Sequence, residues 1–150
     1  MSALRELYEE VILDHNRNPR NYPKRPPGTN HSAKGHNPLC GDEVAIHLSV
    51  KDGVIEDIGF EGDGCAISTA SASMLTEALK GKNAEEARAL FARVHGLLTE
   101  GEDPEVAIAT LGKLAVLGGV KDYPMRVKCA TLAWHTMMAA LEGDETATSE

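Results

Sequence analysis

Cys40, Asp42, Cys65 and Cys129 are the residues of this 150-residue chain whose types can do chemistry together. Cys40 and Asp42 flank Gly41 in the stretch NPLCGDEV, just where an alternating strand pattern begins, so a thiol and a carboxylate share one easily bent turn. Cys65 follows a loop carrying Gly62 and Gly64 and enters a helix of small residues, while Cys129 lies early in the last helix. Thiols near helix N-termini are favoured as thiolates by the helix dipole. Brought to one end of a sheet, three thiolates and a carboxylate form a tetrahedral, mostly soft donor set suited to Zn²⁺ or iron. The cysteines stand too far apart for the close CxxC pairs of a zinc finger, which leaves a second reading open: three free, partly buried thiols.

Other candidates carry less. His15, His31, His36, His47, His95 and His135 show no HExxH or HxH spacing, although His15 and His36 lie near loops that could fold over the site. The Gly-Asp-Gly at 62–64 lacks the Lys-Ser/Thr of a phosphate-binding loop. Lys128, beside Cys129, and Arg126, two positions earlier, are either solvated charges or groups that favour a nearby thiolate. Three cysteines make a poor disulfide framework. The formal net charge of −8 argues against a general nucleic-acid binder, which needs a basic footprint. The first residues carry acids through their apolar pattern, unlike a signal peptide. No run approaches the ~18 apolar residues of a membrane helix, so the expected location is the cytoplasm, with no membrane partner.

The elements that must position these groups read as one α+β domain over residues 1–150. Leu4, Leu7, Tyr8, Val11 and Ile12 recur at helical spacing. A Pro-rich loop follows, and TNHSAKGHNPL is ambiguous, with room for a short first strand. Val44, Ile46, Leu48 and Val50 alternate with polar residues, Asp52-Gly53 makes a tight turn, and VIEDIGF alternates again, which predicts a β-hairpin. After Cys65 the chain is helical. Gly81 closes the first of these helices, Asn83 and Glu86 cap the second, Asp103-Pro104 opens a third and Pro124 starts the last. The expected fold is a small antiparallel β-sheet of about three strands around a central hairpin, with helices packed on it. The tail from about 143 to 150 is expected to be disordered.

The stretches LYEEVILDHNRNPRN, NPLCGD, FEGDGCAISTASASML and MRVKCATLAW jointly resemble the U-type iron–sulfur cluster assembly family (IscU/SufU-like, NifU N-terminal-like) and follow its order. The resemblance implies a SufE/NifU-like fold and maps the family's three cysteines to Cys40, Cys65 and Cys129, and its aspartate to Asp42. Lys128 stands where IscU-type members carry a histidine, and the chain has an extra helical segment at roughly 100–120. Both features look like the zinc-binding SufU branch. The resemblance therefore implies Zn²⁺ held by Cys40, Asp42, Cys65 and Cys129, and a role in iron–sulfur cluster biogenesis as an acceptor of persulfide sulfur from a SufS-like cysteine desulfurase. The sulfur would pass on to downstream assembly or acceptor proteins. On this reading Cys40 accepts the sulfur, Arg126 steadies Asp42 or the leaving cysteine, and Lys128 adds positive charge. Two alternatives stay open: a scaffold binding Fe²⁺ and a transient [2Fe–2S] cluster on the same ligands, and a structural zinc adaptor.

Overall fold

Alternating apolar residues on either side of Asp52-Gly53 build the centre of the sheet. The computed structural model describes residues 3–38, 41–100, 103–120 and 123–148. Strand β2 (Asp42–Lys51) turns back into β3 (Val54–Asp63) through Asp52 and Gly53, which both take positive φ, as the tightest hairpin turn requires. A register shift at Ser49/Val50 adds a residue to β3. That bulge reverses the parity of the strand, so Ile55 joins Ile58 and Phe60 in the core while Glu56 is exposed. It explains why the two faces of VIEDIGF are blurred in the sequence.

Strand β1 (His31–Asn37) pairs antiparallel with β2, with Ala33, Gly35 and Asn37 inward and Lys34 and His36 outward. β3 runs further than the sequence pattern predicts, because Gly62, at φ 129, stays in the ladder against Val44 where any side chain would strike the Glu43 carbonyl. The segment before β1 covers the outer edge of β3: Lys24 donates its amide to the Phe60 carbonyl, and Tyr22 stacks on Phe60 at 4.9 Å. The expected disordered tail differs from the structure at Thr146–Thr148. These residues form strand β4, parallel to the open edge of β1, so the sheet has four strands in the order β3-β2-β1-β4. Threonines suit an edge that would otherwise leave backbone groups unpaired.

The helices are α1 (Ala3–Arg17), α2 (Ala66–Leu79), α3 (Ala84–Thr99), α4 (Pro104–Leu111) and α5 (Pro124–Glu142). A 3-10 segment, Gly112–Val120, follows α4; Gly112, at φ 57, breaks what the sequence reads as one helix. The predicted capping box of α3 is present: the Glu86 amide donates to Asn83 Oδ1 at 2.8 Å and the Asn83 amide to Glu86 Oε1 at 3.1 Å. α5 packs on β1 and β2. It comes so close that a Cβ at Gly35 would collide with the Thr136 side chain. The small residues of α2 let α5 approach from the side, where Trp134 Nε1 donates to Ser71 Oγ at 3.2 Å. Trp134, Ile46, Leu48, Ile58, Leu75 and Leu132 are inaccessible, and each such side chain contributes about 1.5–3 kcal/mol. A core of that kind holds without a metal cross-link. No helix among the described residues is long and apolar enough to cross a membrane.

His15 fastens α1 to α2 rather than lying over the cysteine site. Its Nδ1 is 2.7 Å from Ser73 Oγ, which also accepts the Arg20 amide at 2.8 Å, and its Nε2 faces Glu77 at 3.5 Å. Burial, and then the Arg20 guanidinium, push His15 below the usual imidazole range, with Glu77 opposing. A histidine held neutral in the fold takes up its proton on unfolding. Its contribution is therefore present above the ordinary value of about 6.5 and is lost as pH falls below it. Thermal unfolding followed by circular dichroism should show a melting temperature that drops between about pH 7 and about pH 5, and His15→Gln should flatten that slope. An unchanged slope in the variant would place the pH dependence elsewhere.

Candidate metal centre

Three of the four predicted ligand residues meet at one end of the sheet. Asp42 opens β2 and is 4% exposed, its carboxylate turned toward the start of α2. Cys65 is the N-cap of α2: its extended backbone aims Sγ back at the helix, where it accepts the Ser68 amide at 3.4 Å. Cys129 reaches the same place from the second turn of α5 and is buried, whereas Cys65 is exposed. One ligand atom from each of Asp42, Cys65 and Cys129 lies within 4.8 Å of the other two.

The two oxygens of Asp42 are divided. Oδ1 accepts the Cys65 amide at 2.9 Å, and Oδ2 stands 3.6 Å from Cys65 Sγ. For zinc–sulfur and zinc–oxygen bonds of ordinary length, a sulfur and an oxygen on one tetrahedral zinc are about 3.5 Å apart. The Asp42–Cys65 edge therefore already has the right length, and the donor set, two thiols and a carboxylate, suits zinc or iron. Cys40 lies outside the described residues. Gly41, which joins it to Asp42, has φ 75 and donates its amide to the Asn37 carbonyl at 2.9 Å. Any side chain at position 41 would be strained there.

Two neighbours of the site were not singled out by the sequence reading. Asn37 is fully buried and points its amide nitrogen at Cys129 Sγ across 4.0 Å. The signal available was position alone: Asn37 stands just before the Cys40 loop, in a stretch where β1 itself was ambiguous. Tyr8 of α1 packs its ring on Gly119. Burial pushes its phenol up, the Arg126 guanidinium opposes that, and Tyr123, Glu9 and Cys65 add to the rise.

Arg126 is expected to steady Asp42 or the leaving cysteine, and Cys40, the leaving cysteine in that expectation, lies outside the described residues. The Arg126 guanidinium lies over the Tyr123 ring, 4.7 Å from the centroid, and makes no hydrogen bond or ion pair with Asp42. As an exposed residue in the first turn of α5 it packs on the exposed Tyr123 ring, a cation–π contact. Lys128, half-buried, lines a cavity beside His95 and His135. His36 is exposed on β1, outside the cluster.

Removing the Asn37 amide should weaken zinc binding while removing the Arg126 guanidinium should not. Competition with a chromophoric chelator is expected to show a loss of about tenfold or more for Asn37→Ala and no change for Arg126→Ala. The reverse pattern would mean that the guanidinium, not the buried amide, supports the site.

Residues 7–130 match the family model for the NifU-like N terminal domain. The chain is 38% identical over 139 residues to the zinc-dependent sulfurtransferase SufU of Bacillus subtilis, covering 93% of this chain and 92% of that one. It is 39% identical over 142 residues to the iron–sulfur cluster assembly scaffold protein IscU of Streptococcus pyogenes, covering 95% and 87%. Among solved structures it is similar to a candidate iron–sulfur cluster assembly scaffold protein for the SUF system from Fervidobacterium islandicum, with a TM-score of 0.80, 33% identity and coverage of 91% and 98%. The match spans both the strand that opens at Asp42 and the helix cap at Cys65, and the chain belongs to the NifU-like N-terminal domain family.

Proposed function

We propose that this protein serves iron–sulfur cluster biogenesis as a zinc-dependent acceptor and carrier of persulfide sulfur, taken from a SufS-like cysteine desulfurase and handed on to assembly or acceptor proteins. The observation that carries this reading is the gathering of Asp42, Cys65 and Cys129 within 4.8 Å, with an Asp42–Cys65 edge of tetrahedral length. Likeness to a relative named as a zinc-dependent sulfurtransferase supports it. Cys40, two positions before Asp42 in the chain, is the fourth ligand in this reading. Zinc bound there supplies the positive charge that keeps its thiols ionised near neutral pH.

Cys40 is the acceptor because the hinge beside it is a glycine in the left-handed region, so the thiol can leave while Asp42 stays fixed by the Cys65 amide. Cys65 and Cys129 are anchored in helices and keep their places. The freed Cys40 thiolate attacks the outer sulfur of the desulfurase persulfide. A new sulfur–sulfur bond forms on Cys40, the bond within the desulfurase persulfide breaks, and its electron pair leaves with the desulfurase cysteine as thiolate. No external oxidant or reductant is needed, because one sulfur–sulfur bond replaces another. In this reading the exposed Arg126 guanidinium, held over Tyr123 in the first turn of the helix that carries Cys129, supplies positive charge to the departing Cys40 thiolate.

A second reading is supported by the likeness to a relative named as the scaffold protein IscU and to a solved structure named as a candidate scaffold protein for the SUF system. There the same four residues would carry a [2Fe–2S] cluster assembled from Fe²⁺ and sulfide. Lys128 counts against it, because an ammonium at neutral pH is not a ligand where a histidine would be.

Incubation with cysteine desulfurase and cysteine, followed by intact-mass measurement, should show a gain of one sulfur atom on the wild type and none on Cys40→Ala. If Cys40→Ala still gains sulfur while Cys65→Ala does not, the acceptor is the exposed helix-cap thiol instead. If the wild type gains none, and anaerobic reconstitution yields a stable visible spectrum, the cluster-scaffold reading replaces sulfur transfer.

A further inference from the structure

A second site with a different chemistry lies between α3 and α5. A cavity of about 370 Å³ is lined by His95 and Thr99 of α3 and by Val127, Lys128, Thr131 and His135 of α5. Among the described residues no carboxylate lines it, in a chain of net charge −8. Among the described residues Lys128 has no ion-pair partner and the His135 ring nitrogens make no hydrogen bond. The two imidazoles meet edge to face, 5.9 Å between centroids, and Phe91 packs against both at 5.3 and 5.6 Å, so their orientation is held from behind. The Thr99 and Thr131 hydroxyls donate to the backbone carbonyls of His95 and Lys128, so the donors left to face the cavity are the Lys128 ammonium and the imidazole N–H groups.

We propose that this cavity binds an oxyanion, either the carboxylate of a small organic acid or a phosphate group, with Lys128, His95 and His135 as its donors and Val127 against its apolar part. The volume exceeds that of a bare oxyanion, which leaves room for an attached organic portion. Nothing in the proposal depends on the metal centre or on sulfur transfer. Burial, and then His95, hold His135 below the usual imidazole range; His95 on α3 is the titratable group that acts on it among the described residues. A bound anion supplies the missing counter-charge and favours the protonated ring. Binding therefore strengthens as pH falls toward the histidine range.

The test follows the histidine ring signals of the full chain by NMR, at constant ionic strength set with chloride, during titration with inorganic phosphate and separately with butyrate. His95 and His135, assigned through His95→Gln and His135→Gln, should shift together and saturably while His15 and His47 stay still. Binding should be tighter at about pH 6 than at about pH 8, and Lys128→Gln should weaken it by about tenfold. Circular dichroism of Lys128→Gln, with an unchanged melting temperature, shows that the variant keeps the fold. Saturation with phosphate alone identifies a phosphate site, and with butyrate alone or both a carboxylate site. Signals that do not saturate with either probe, that move equally with chloride, or that saturate unchanged in Lys128→Gln would overturn the proposal.

Discussion

The carboxylate of Asp42 ties the first residue of a central strand to the first turn of a helix, and the rest of the site is built around that tie. One oxygen accepts the Cys65 amide at 2.9 Å; the other accepts the Cys65 thiol at 3.6 Å. The carboxylate is buried, with the Cys129 thiol close by. Once their thiols are ionised, Cys65 and Cys129 and the Asp42 carboxylate, within 4.8 Å of one another, would repel, and a bound cation would relieve that repulsion. Because Asp42 Oδ1 already accepts the Cys65 amide, Oδ2 would be the oxygen free to hold a metal, and binding through it would leave the backbone hydrogen bond in place.

The sheet and helices set this geometry through backbone constraints more than through the core. β1 and β2 end together at Asn37 and Asp42, so the buried Asn37 amide and the Asp42 carboxylate are neighbours in the ladder. Gly62 keeps β3 paired up to Asp63 and so delivers Cys65 two residues later. α5 brings Cys129 in by packing tightly on Gly35. The large apolar core beneath packs these elements on one another.

Much of this was legible in the sequence where one local rule decided. The Asp52-Gly53 turn, the Asn83–Glu86 capping box and the Pro124 helix start are each fixed by nearby residues, and each appears as read. What the sequence hid depends on distant partners. Gly35 and Lys34 weaken the strand signal of β1, which is rescued by α5 on one side and β4 on the other. The bulge that turns Ile55 inward cannot be seen in VIEDIGF alone. Arg126 is close to Asp42's partners in sequence but finds the Tyr123 ring instead. Asn37 shows no ligand-type chemistry, so only its burial against Cys129 reveals it.

X-ray absorption at the zinc edge of the purified protein tests the central claim most directly, because it reads which atoms surround the metal. The account predicts one zinc with three sulfurs at about 2.3 Å and one oxygen at about 2.0 Å, and Asp42→Ala should change the oxygen shell alone. A shell of nitrogen and oxygen without sulfur, or one that is unchanged when Cys65 is replaced by serine, would contradict it.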